Sequence, residues 1–177
     1  MQYGEKLSKA GSGDQGKNRA PRDHNRDYLG ESIYPEIAAL RALMPEWSRG
    51  RLDAGFDLHC PWIRGTHNDC IYIVGAADQR VWAEQQKLGA ILERVRRGAL
   101  PYQASDNLPF GRAWNVAENE PTGMSCSRWL AGLLGTRLAA SLEIPYAAAR
   151  GVQVTAESAR TFGADLARAA AEYLRGA

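Results

Sequence analysis

LDAGFDLHC (residues 52–60) is a short run of apolar side chains closed by Pro61, and its length and its Phe and Leu content read as a buried β-strand rather than a helix. DCIYIVGA (69–76) repeats the pattern, rich in Ile, Val and Tyr and ended by Gly75. Helical periods flank the two. IYPEIAALRALMPEW (33–47) places Ile33, Ile37, Leu40 and Met44 on one face, with Pro35 in the first turn, where its missing N–H costs least. Asp78 is placed to cap QRVWAEQQKLGAILERVRR (79–97), in which Val81, Leu88, Ile91, Leu92 and Val95 share a stripe and Arg94, Arg96 and Arg97 suit the carbonyl end.

The pattern continues to the C-terminus. SRWLAGLLGTRLA (127–139) begins as a short helix and ASLEIPYA (140–147) reads as a strand. A last helix is expected from Thr155, with Ala159, Phe162, Leu166, Ala169 and Tyr173 in one stripe and Gly176 at its end. Strands interleaved with helices define an α/β class, a mixed sheet flanked by helices. Residues 1–32 show no apolar period and read as loop, frayed over 1–12, which leaves 13–177 as the folded domain. The segment from Gly98 to Gly123 is too long for a plain connection and is expected to line a site.

Bulk properties narrow the partners. The chain has 177 residues, 45% of them apolar, enough for one domain with a sizeable core. A net charge of +2 gives no large field of one sign, so neither a nucleic-acid groove nor a membrane patch is expected. The expected partner is a peptide or a small carboxylate-bearing molecule. Cys60, Cys70 and Cys126 are odd in number and lack C-x-x-C spacing, so they read as reduced, mostly buried thiols. No apolar run is long enough to cross a bilayer and no secretory signal precedes the domain, which gives a cytoplasmic default.

Three features could carry chemistry. His59 ends an apolar run, where a strand delivers side chains to the edge of a sheet. It could ligate a metal, its second nitrogen oriented by Asp57 or by a backbone carbonyl, or it could be a hydrogen-bonded core histidine. Glu143 lies inside the apolar run of SLEIPY (141–146), and a buried carboxylate is paired or functional. Burial would suit it to general-base work; an ion pair with an arginine, or a water-facing strand position, would explain it equally. GDQGKNRAPRDHNRDY (13–28) gathers Lys17, Arg19, Arg22, Arg26 and two asparagines. An Asn25–Arg26 pair offers donors matched to a carboxylate, while a solvated loop with weak surface pairs is the plainer reading.

Those same three stretches, GDQGKNRAPRDHNRDY, FDLHCPWIRGTHNDCIYIVG and ASLEIPYA, in that order and followed by the last helix, resemble the zinc carboxypeptidase family, in particular its cytosolic carboxypeptidase-like branch. The resemblance runs from about Gly13 to Leu174. It implies a carboxypeptidase-like α/β/α fold, a zinc cofactor and the hydrolysis of C-terminal residues from peptides. By the same resemblance Asn25 and Arg26 hold the substrate's carboxylate, Arg19 polarises the scissile carbonyl with Arg22 as the competing assignment, His59 ligates zinc, and Glu143 activates a zinc-bound water.

The chain departs from the family pattern at two points. The family's upstream H-x-x-E zinc motif is missing; HNRD (24–27) has its spacing with Asp for Glu, but lies on the clamp motif itself. The expectation is therefore an N-terminally incomplete domain. The loop NVAENEPTGMSCSRW (115–129) also lacks the mobile tyrosine that many members carry, with Tyr102 and Tyr146 in the neighbourhood. His67 is expected to be a structural or surface residue. An amidohydrolase or deacylase on the same scaffold, and a non-catalytic carboxylate-binding module, are the rival readings.

Overall fold

The computed structural model describes residues 21–62, 65–119 and 123–176. In chain order the elements are α1 (Pro35–Ser48), β1 (Ala54–His59), β2 (Tyr72–Val74), α2 (Gln79–Val95), α3 (Cys126–Ala131), β3 (Leu138–Glu143), β4 (Ala148–Ala149), β5 (Val152–Gln153) and α4 (Ala156–Arg175). The class is mixed α/β, with four α-helices and a small mixed sheet among the described residues.

β3 is the centre of that sheet, whose order is β1-β3-β2. All six of its residues are buried, as a strand covered on both faces requires. β1 runs parallel to it, pairing Asp57 with Ser141 and His59 with Glu143. β2 runs antiparallel on the other side and pairs Tyr72 with Glu143. The crossover from β1 to the parallel β3 passes through β2, α2 and α3, the length of chain such a connection needs.

The two faces of the sheet differ. One carries Ile73, Ala140 and Leu142 into the main core, packed with Leu88 and Leu92 of α2 and Phe162, Leu166, Ala169 and Tyr173 of α4. The opposite face carries Ala139, covered by Leu130 of α3 and Leu52, with Met44 and Trp129 packed around them. Gly55 lets α3 sit this close, because a Cβ there would lie 2.9 Å from the Leu130 side chain. Asp57, His59, Ser141 and Glu143 share this second face with Gly55, by the alternation of strand side chains.

Local signals account for the helix ends. The Asp78 carboxylate accepts from the amides of Arg80 and Val81, and Thr155 forms a reciprocal cap with Ser158. Two expected stripes shift. In α4 the buried face includes Ser158 and Asp165, while Ala159 is exposed. Asp165 is buried because its carboxylate binds the amides of Arg97 and Gly98 and the Arg168 guanidinium. In α1, Ile37 is buried but Ile33 is exposed, since the helix begins only at Pro35 and Ile33 lies ahead of it. The three cysteines are free and half-buried rather than buried.

Candidate functional site

Parallel pairing in register brings the ends of β1 and β3 together, so the His59 and Glu143 side chains stand beside each other although 83 positions (143 − 59 − 1) intervene in sequence. Glu143 is only 7% exposed, and its charge acts on His59. The His59 side chain is 41% exposed, open enough for a ligand to reach. The position at the carboxyl ends of parallel strands is where open α/β sheets place ligands.

Asp57 lies behind the histidine, two residues back on the same face. Its Oδ1 is 3.5 Å from His59 Nδ1, and its Oδ2 accepts a 2.9 Å hydrogen bond from Ser141 Oγ on the adjacent strand. Burial opposes the charge on Asp57, but its contacts with His59 and Ser141 and the charge of Arg26 outweigh burial and hold the carboxyl below its ordinary range. The same pairing with Asp57 raises the His59 imidazole above its ordinary value against the effect of burial, with smaller help from the charges of Glu143 and Asp23.

The polar loop expected to form a clamp meets this face through α3. The Cys126 amide donates to Asn25 Oδ1 at 2.9 Å, Tyr28 N donates to Met124 O, and Asp27 bridges Met124 in parallel fashion. Asn25 thus spends its side-chain carbonyl on anchoring the loop, and its amide nitrogen is left as a donor. Arg26 stands close enough to Asp57 for its charge to lower that carboxyl. Burial pushes the Cys126 thiol up to about 11, which keeps it protonated. Burial also raises the Tyr28 hydroxyl, aided by its hydrogen bond to that thiol.

Arg22 is occupied within the loop, where Nε donates to Asp27 at 2.6 Å and a terminal nitrogen donates to Glu31 O. Arg19, the residue expected to polarise the carbonyl, lies outside the described residues. His24 pairs with Glu36 at 2.7 Å and stacks on Tyr34, while Asp27 is wholly buried on Arg22 and two backbone amides. His24 and Asp27 therefore have structural partners of their own. His67 accepts or donates at Thr66 Oγ1 and meets the Tyr72 ring edge-on, a wall position.

Sequence reasoning missed an aromatic flank. Tyr72 is fully buried, pairs in register with Glu143, and has Trp114 tilted against it at 6.5 Å. Burial raises its hydroxyl, and the charge of Glu143 raises it further. Trp114 comes from the long loop after α2, so that loop does reach the site. Ser141 was also missed: a serine two residues before Glu143 on a strand necessarily shares its face, which was the available signal.

A catalytic zinc takes three protein ligands. Among the described residues no three His, Cys, Asp or Glu side chains converge to hold a metal. His59 is one ligand with a carboxylate behind it, so the described residues do not by themselves fit the ion. Compared with protein-family models, with curated proteins and with solved structures, the chain matches none.

Proposed function

We propose that this chain carries the acid–base and carboxylate-binding part of a carboxypeptidase-like hydrolase site acting on peptide C-termini. The observation that carries the reading is the in-register His59–Glu143 pair on the face that Arg26 approaches. His59 and Glu143 share one face of the sheet, and the charge of Arg26 reaches Asp57 on that face, which supports reading the three together. The resemblance supplies the reaction, and the carboxypeptidase-like fold is part of the same proposal.

Each residue has a role that its chemistry allows. Glu143, nearly enclosed and beside the Tyr72 ring, accepts a proton from an attacking water and returns it to the leaving amine. Arg26 holds the free carboxylate of the substrate, with the Asn25 amide nitrogen as a second donor. That clamp selects chain ends, because internal peptide bonds carry no nearby carboxylate. Zinc, which the resemblance implies, is proposed as the cofactor with His59 as one of its ligands.

The test compares a short peptide with a free C-terminus against its C-terminal amide. Release of the terminal residue from the acid alone is the expected result, and equal cleavage of the two would remove the clamp. Glu143→Gln is expected to lower kcat by about a hundredfold or more with little change in peptide binding. An active Glu143→Gln protein would dismiss the base. Zinc content and loss of activity on chelation, restored by zinc, check the cofactor.

A further inference from the structure

Asp57, offered by the sequence as one candidate to orient His59, is itself held in place by Ser141. The Ser141 hydroxyl donates to Asp57 Oδ2, which fixes the plane of the carboxylate and turns Oδ1 toward the His59 ring at 3.5 Å. The three residues come from two strands in one register, Asp57 opposite Ser141 and His59 opposite Glu143, so backbone pairing rather than a loop sets their spacing. Asp57 is largely shielded, its side chain 14% exposed, which strengthens its interaction with the ring.

The ring nitrogens of a neutral imidazole differ: one carries the proton and the other a lone pair. A lone pair on Nδ1 facing a carboxylate oxygen would be repelled, whereas N–H there is attracted. We infer that Asp57, held by Ser141, is a positioning residue that keeps the His59 proton on Nδ1 and leaves Nε2 as the nitrogen presented to an incoming electrophile or proton. The inference deepens the proposed site: it names the atom of His59 that acts, and Ser141 as the residue that makes the choice rigid. In a ring held this way Nε2 has a fixed direction, and a ligand approaching His59 meets a lone pair at no cost in tautomer exchange.

Nitrogen-15 NMR of the histidine side chains tests this at alkaline pH, where the ring is neutral, on the full chain and without substrate. His59→Gln identifies the His59 signals, and His24→Gln and His67→Gln identify the other two. The expected wild-type pattern has His59 Nδ1 protonated and Nε2 bare. Asp57→Asn, which can present an amide N–H to the ring, is expected to shift the population toward the Nε2-protonated form, and Ser141→Ala to give a mixture with broadened signals. A wild-type ring protonated on Nε2 would overturn the inference. So would an Asp57→Asn or Ser141→Ala ring whose pattern matches the wild type. Should Asp57→Asn not fold, Ser141→Ala decides alone. A protein inactive on every peptide but with the Nδ1–H pattern would sink the hydrolase reading and leave this inference standing.

Discussion

The carboxylate of Asp27 is fully buried and accepts from Arg22 Nε and from the amides of Ile33 and Tyr34 at 2.6, 3.2 and 3.0 Å. Burial opposes its ionisation, yet those donors outweigh burial and hold it below the ordinary carboxylate value. Asp27→Ala removes the acceptor of Arg22 Nε and of two backbone amides beside the clamp, and should lower unfolding free energy by about 3 kcal/mol in urea denaturation. Glu31→Ala, whose side chain is exposed, should change it by less than about 0.5 kcal/mol. Because the folded-state value is depressed, the charged Asp27 stabilises the fold above the ordinary carboxylate range, and that contribution fades as pH falls through the folded value. The wild-type midpoint should therefore drop more steeply than that of Asp27→Ala on acidification below about pH 4. Equal slopes would assign acid unfolding to other carboxylates. None of this was legible in DHNRDY, where the aspartate looks like any loop charge; its amide partners lie six and seven residues on, and only the turn before α1 brings them back.

Elements were more legible than contacts. β1, α2 and α4 lie where apolar period and capping residues put them, because those signals are local: Asp78 and Thr155 satisfy amides within three residues of themselves. The sequence marked Glu143 as a carboxylate inside an apolar run but left burial and a water-facing position equally open, and its 7% exposure decides for burial. Its neighbour His59 was implied only by the resemblance and not by the residues around it, because strand order and register are properties of the sheet. The same limit hid Gly123. Its φ is +95°, and a Cβ there would lie 2.0 Å from the Arg26 carbonyl oxygen. Gly123→Ala must push the Arg26 carbonyl, and with it the Asn25–Arg26 segment, away from residue 123. The expected cost is about 2 kcal/mol in stability from strain and displacement, with KM for free-acid peptides rising more than kcat falls. A crystal structure of the variant with the segment unmoved would refute the argument. Gly111, also at positive φ but with open space around it, is the control: its alanine variant should lose stability without a change in KM.

Across the whole molecule, stability is unevenly distributed. β3, α2 and α4 share the main core, whose Leu88, Leu92, Leu138, Leu142 and Ala169 are fully buried or nearly so, and Gln85 joins α2 to the Ala139 carbonyl. Among the described residues α1 has no comparable anchor. Of its residues Ile37 and Ser48 are buried, Met44 touches the smaller cluster, and Leu43 and Trp47 are 59% and 68% exposed. Its N-terminal side is tied through Arg41, which donates to the Gly30 carbonyl and to Ser32 Oγ, both at 2.7 Å. Local opening free energy follows buried apolar contact, so α1 should open without the rest of the fold. Hydrogen exchange measured by mass spectrometry should show α1 amides exchanging at least about a hundredfold faster than those of β3 and α4, a gap of about 2.7 kcal/mol. Arg41→Ala should widen that gap, since it frees the loop that holds the helix start, while leaving α4 exchange unchanged. Protection of α1 equal to that of β3 would mean that the helix is packed into the same cooperative unit, and that the smaller cluster around Leu130 contributes far more than its few side chains suggest.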